Sequence, residues 1–114
     1  LQIVGFFTKE EDTLMMGNVL PGSNAQRWHP DFADVIVGGV DKSTGIDAVA
    51  AHFGWDVKQT MAFGDGGNDI GMLRHVGCGI AMGNASEEVK QHARYVTDDI
   101  DHDGVAKAIE RYLE

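Results

Sequence analysis

From Val35 onward, short apolar runs alternate with amphipathic stretches. VIVGG (35–39), TMAFGD (60–65), CGIAMG (78–83) and RYVT (94–97) read as strands. They are apolar throughout, as strands covered on both faces are. The intervening stretches have helical spacing. STGIDAVAAHFGW (43–55) carries Ile46, Val49, Ala50 and Phe53 on one face and stops at Gly54. NDIGMLRHVG (68–77) turns Ile70, Met72 and Leu73 inward. SEEVKQHA (86–93) opens on Ser86 as N-cap, with Glu87 and Glu88 suiting the helix dipole. DGVAKAIERYLE (103–114) sets Val105, Ala106, Ile109, Tyr112 and Leu113 on one face. The order β-α-β-α-β-α-β-α with short connections predicts a parallel sheet covered by helices.

The first third is less regular. LQIVGFFT (1–8) reads as a strand and KEEDTLMMGNVL (9–20) as a short helix stopped by Pro21-Gly22. SNAQRWHPDFAD (23–34) reads as irregular chain.

A length of 114 residues suits one small domain. No apolar run approaches the roughly 18 residues of a membrane span, and no secretory signal pattern is present. The net charge of −9 argues against a nucleic-acid or anionic-membrane surface and is compatible with a cation site. Cys78 is the sole cysteine, so no internal disulfide forms and a cytoplasmic location is favoured. It reads as a small buried hydrophobe.

The chemistry concentrates in MAFGDGGNDIGML (61–73). Ligands of such sheets bind beyond the C-terminal strand ends, where Asp65 falls. Gly66 and Gly67 let backbone approach a ligand, and Asn68 and Asp69 open a helix whose free N–H groups attract an anion. A hard-oxygen ligand beside an anion site suggests Mg²⁺-assisted handling of a phosphate. The structural alternative is a tight turn with a capping side chain. Lys42, in GGVDKSTGI just before a helix, can put a point charge on a phosphate; alone it reads as a solvated loop lysine.

DKSTGID (41–47), MAFGDGGNDIGML (61–73), GIAMGNASEEVKQHARYVT (79–97) and DGVAKAI (103–109) together resemble the haloacid dehalogenase (HAD) superfamily of phosphatases. Their order and spacing match the C-terminal half of its Cof-type sugar phosphatases, closest to members acting on hexose phosphates. RWHPDFADVIVGG (27–39) resembles the segment where the chain leaves the cap and re-enters the core. The resemblance implies an α/β fold: a truncated HAD-like (Rossmannoid) three-layer core with a parallel sheet, plus a remnant of the α/β cap. Residues 1–34 would be cap remnant and hinge, and 35–114 the core half. It implies Asp65 as Mg²⁺ ligand, Lys42 stabilising nucleophile and phosphoryl charge, Asn68 contacting phosphate or substrate, and Asp69 orienting Lys42 or metal-bound water. Asn84 matches a loop residue near the site and otherwise reads as a turn before a helix. Trp28-His29-Pro30 reads as an aromatic core anchor, with reach to substrate from the hinge as the alternative.

The family's DxDGT nucleophile strand and its Ser/Thr motif have no counterpart here. Covalent transfer needs an activated nucleophile, so the chain alone is expected to be inactive. In relatives the absent strand lies beside MAFGD, so self-association through that sheet edge is expected. The implied partner is a small phosphorylated substrate, not nucleic acid or membrane. A phosphomutase, and a non-enzymatic fragment or calcium- or partner-binding module, are the alternatives. The last draws on Asp99, Asp101, Asp103, Gly104 and Glu110, which match D-x-D-x-D-G-x5-E. Against it, RYVT precedes in place of a helix, and the helical periodicity begins inside the loop.

Overall fold

The computed structural model describes residues 2–113; Leu1 and Glu114, at the ends of the first predicted strand and the last predicted helix, lie outside the described residues. Two three-stranded sheets of opposite character organise the chain. β1 (Ile3–Gly5), β2 (Ser23–His29) and β3 (Phe32–Val37) are antiparallel in the order β1-β3-β2. β4 (Met61–Gly64), β5 (Cys78–Ala81) and β6 (Tyr95–Val96) are parallel in chain order. α1 (Asp12–Leu14) sits between a 3₁₀ turn at Lys9–Glu11 and a π turn at Met15–Val19. α2 (Lys42–Phe53), α3 (Ile70–His75), α4 (Glu87–Gln91) and α5 (Gly104–Tyr112) accompany the parallel sheet. This is the expected α/β fold with a parallel sheet.

The first third is more ordered than its sequence suggests. SNAQRWHPDFAD is not irregular: it forms most of a hairpin, with Pro30-Asp31 as its two-residue connection. The strand expected in VIVGG does not join the parallel sheet. Val35 pairs with Ala25 on one side and with Ile3 on the other, both antiparallel. A local hairpin closes a very short loop, whereas a parallel partner requires a crossover. The expected division at 34/35 therefore runs through β3, and the change of sheet falls between Val37 and Lys42.

The antiparallel sheet has two unlike faces. Ala33, Val35 and Phe7 are buried, and Ala25, Met15, Met16 and Leu20 pack on them. Arg27 ties this unit together: it pairs with Asp12 at 2.7 Å and donates to the Phe7 carbonyl at 2.9 Å. Gln26 and Asp34, directly opposite each other, occupy the other face.

In the parallel sheet, neighbouring Ile80 and Ala81 are both wholly buried. Successive side chains point to opposite faces, so β5 is covered on both sides. Leu73, Ala81, Ala85 and Val89 form the core, with Ile70, Met72 and Ala93 against it. Cys78 is half-buried rather than fully buried.

Two helices bury less of their apolar faces than expected. In α5 the buried positions are Gly104 and Ala108, while Tyr112 stacks on Tyr95 at 4.2 Å. Val105, Ile109 and Leu113 stay exposed, because the small residues are the ones that let the helix approach closely. In α2 only Ala50 is buried. Its Ile46 and Val49 instead line an apolar cavity of about 570 Å³ with Trp55, Met61, Met72 and Val76. β4 borders that cavity and pairs only with β5 among the described residues. The calcium-loop match also fails structurally. A strand precedes it, α5 starts at Gly104 inside it, and Glu110 lies within the helix. Among the described residues no helix is long and apolar enough to cross a membrane.

Ile80→Ala is expected to lower stability by about 2–5 kcal/mol, the usual cost of emptying a core site. Val105→Ala should change it by less than about 1 kcal/mol. Urea denaturation of both variants checks the buried face of β5 and the orientation of α5 together.

Candidate active site

β4 ends at Gly64, and Asp65 is the first residue beyond it. The turn then closes on itself through Asp69. A Cβ on Gly64 would stand 2.5 Å from the Asp69 Cβ and 3.0 Å from its Oδ2, so only glycine admits the carboxylate there. Gly67 is held for another reason: β2 passes over the turn, and a Cβ would lie 3.3 Å from the Arg27 carbonyl. Gly67 thus accommodates the protein's own close approach, where the sequence suggested that Gly66 and Gly67 let backbone approach a ligand.

Asp69 is buried, with 5% of its surface exposed. Its Oδ2 accepts from the Asp65 and Gly66 amides, each at 3.0 Å, and its Oδ1 accepts from Lys42 Nζ. Burial alone would raise its pKa. The Lys42 hydrogen bond and the Gly66 and Asp65 amides outweigh burial and hold the carboxyl below the usual carboxylate range. The Asp69 amide itself donates to the Gly66 carbonyl at 2.9 Å. The donors of Asp65, Gly66 and Asp69 are therefore used within the turn.

Lys42 is the first residue of α2. Asp41 caps that helix by accepting from the Thr44 amide at 2.9 Å, which sets the direction in which Lys42 leaves the chain. Asp65 is exposed and accepts from Asn84 Nδ2 at 3.0 Å; Asn84 Oδ1 in turn accepts from the Ile100 amide at 3.3 Å. Asn84 thus joins the acidic turn to the loop before α5. The side chain of Asn68 is half-buried and makes no hydrogen bond among the described residues.

Lys42, Asp65, Asn68 and Asp69 line one open cleft of about 490 Å³ with Gly66, Trp28 and Asp34. All four predicted site residues thus converge. Sequence reasoning passed over Asp34, whose signal was its alternation with Ala33 and Val35 in a strand not recognised as half of a hairpin. Trp28 is not the core anchor preferred from sequence: 53% of it is exposed, in the cleft. One lysine faces three carboxylates here, so the cleft attracts cations. Among the described residues no three Asp, Glu, His or Cys side chains converge on an ion. Asp65 alone suits Mg²⁺, which takes one or two carboxylates and completes its shell with water and phosphate oxygens.

The parallel sheet thus carries an acidic turn at the end of β4, and a lysine from the preceding helix reaches into it. The chain belongs to the haloacid dehalogenase-like hydrolases, whose family pattern matches residues 1–109. The HAD subclass IIB sugar phosphatase BT4131 superposes with a TM-score of 0.90 at 47% identity, covering 99% of this chain and 43% of that one. YkrA of Bacillus subtilis is 40% identical over 108 residues, 95% of this chain and 41% of YkrA. The 5-amino-6-(5-phospho-D-ribitylamino)uracil phosphatase YitU of the same organism is 34% identical, over 92% of this chain and 42% of YitU. The chain spans about two-fifths of the length of these relatives.

Because the folded state holds the Asp69 carboxyl low, its contribution to stability is complete above the unfolded value of about 3.9 and is lost as pH falls through the folded value. Asp69→Asn is expected to cost about 2–4 kcal/mol at pH 7, since Lys42 loses its partner and the carboxamide serves the two amides poorly. The gap between variant and parent in urea denaturation should narrow on acidification below about pH 4. A gap that widens would contradict this account.

Proposed function

We propose that these residues form part of a Mg²⁺-dependent phosphomonoesterase site acting on a small phosphorylated compound, a sugar phosphate. The carrying observation is the convergence of Lys42, exposed Asp65 and unpartnered Asn68 on one open cleft, with Lys42 anchored on buried Asp69. The named substrates of the relatives support it: a sugar phosphate for one and a phosphorylated ribityl compound for the other. A cytoplasmic location belongs to this reading.

Each side chain then has one task. Asp65, held by Asn84, keeps a carboxylate oxygen toward the cleft for the ion. Mg²⁺ bound there would supply charge neutralisation and polarisation of a phosphoryl oxygen. Lys42 places a positive charge on the phosphoryl group, and Asp69 positions it by pairing with part of its hydrogen-bonding capacity. Asn68 offers its carboxamide to a phosphate or substrate oxygen.

Covalent transfer still requires a nucleophile. Asp69 is committed to three donors, and Asp65 to Asn84 and the ion. The DxDGT strand that carries the nucleophile in the family has no counterpart in this sequence, so we expect this chain alone to bind phosphate without turnover. The uncovered edge of β4 and the apolar cavity beside it offer a further strand a place to pair. The same edge makes self-association the expected behaviour of the chain alone.

The purified chain is expected to release no phosphate from p-nitrophenyl phosphate in the presence of Mg²⁺. Fusing the N-terminal part of BT4131 ahead of it should create activity. Asp65→Ala in the fusion should then reduce kcat on the order of 100-fold. Full activity of the Asp65→Ala fusion would overturn the assignment.

A further inference from the structure

We propose that Trp28 and Asp34 form a leaving-group subsite that selects phosphomonoesters with a polyhydroxylated, sugar-like leaving group. This rests on the phosphate reading of the cleft and names what lies beyond the phosphate.

Both residues come from the β2–β3 hairpin, whereas the remaining residues of the cleft come from the parallel-sheet unit. Arg27 pairs with Ala33 and His29 with Phe32, so Trp28 is the extra residue of a β-bulge. Bulges re-aim a side chain out of the regular alternation. The indole is then held from two sides: Phe32 meets it edge-on at 4.8 Å, and its Nε1 donates to Asp34 Oδ2 at 3.2 Å. A tryptophan serving only the hairpin's packing would bury its ring. Here the packing of the sheet is done on the other face, by Phe7, Ala33 and Val35, and 53% of Trp28 stays accessible.

The pair has a definite chemical preference. An orientated indole offers an apolar face to the C–H side of a sugar ring. A carboxylate accepts hydrogen bonds only, and hydroxyl groups donate them. Asp34 Oδ1 has no partner among the described residues, so it is available to such hydroxyls. The negative charge also opposes a second phosphoryl group at that end. The cleft is thereby polarised, with phosphate directed to Lys42 and Asn68 and hydroxyls to Asp34 and Trp28.

The test is calorimetric titration of the 114-residue chain, with Mg²⁺ present, using glucose 6-phosphate, methyl phosphate and glucose 1,6-bisphosphate. Glucose 6-phosphate is expected to bind about tenfold tighter than methyl phosphate, the scale of a hydrogen bond to a charged group. Asp34→Asn, which keeps an acceptor for the indole, should bring the ratio of the two affinities close to one, with methyl phosphate bound no more weakly than by the parent chain. Trp28→Ala should weaken glucose 6-phosphate alone. The bisphosphate should bind more weakly than the monophosphate. Equal binding of glucose 6-phosphate and methyl phosphate, equal weakening of both by Asp34→Asn, or tighter binding of the bisphosphate would overturn the subsite and leave the phosphate reading standing. Binding of none of the three would overturn both.

Discussion

The arrangement depends on a buried carboxylate that keeps its charge. Asp69 loses solvent and is compensated by one ammonium and two backbone amides. A carboxylate in that position without its donors would be costly, and would protonate or unfold the turn. With them it joins three pieces of chain: the end of β4, the start of the helical turn before α3, and the first residue of α2. Lys42 and Asp69 are 27 positions apart in sequence, so their pairing closes the unit as well as aiming the lysine. Since Asp69 faces inward and Lys42 is partly exposed, the acid anchors and the lysine reaches out.

The hairpin is the second constraint. Its apolar face is covered by the helical turns of residues 9–19, and its β2 strand passes over the turn at Gly67. The close approach of the Arg27 carbonyl to Gly67 leaves little room for side chains between the two units. The consequence is a cleft with a floor from the parallel sheet and a wall from the antiparallel one. Neither sheet alone holds both Lys42 with the acidic turn and Trp28 with Asp34.

The predicted site residues were legible because each lies at a strand end or helix start, positions that sequence patterns mark. The GDGGND turn follows an apolar run, and Lys42 follows an N-capping Asp41. The hairpin was not legible for a physical reason. Its strands carry Gln26, Arg27, Asp34 and a bulge at Trp28, which break the period-two pattern a half-buried strand otherwise shows. The helix faces depart from the pattern for another reason. In α5 the apolar side chains do not mark the core: burial follows the smallest residues, Gly104 and Ala108, which no hydrophobic count favours. In α2 the apolar face was read correctly as a face. It lies along the free edge of β4, where a periodicity argument supplies no neighbour.

The charge of the cleft orders events within it. A phosphate monoester near neutrality carries up to two negative charges, and in the proposed site it would meet three carboxylates against one lysine already paired to one of them. Entry of the anion before a cation would set like charges together at short range in a partly desolvated cleft, where Coulomb terms are larger than in water. On the proposed reading, a divalent cation held at Asp65 would cancel the surplus of carboxylates over lysine and remove that opposition. Asp34 gains selectivity from the same electrostatics. It stands at the hairpin wall, where a carboxylate repels phosphate and accepts hydroxyls, so a monoester is favoured in one orientation. Orientation of this kind counts before any chemistry, because it converts encounters of either polarity into a single reactive alignment.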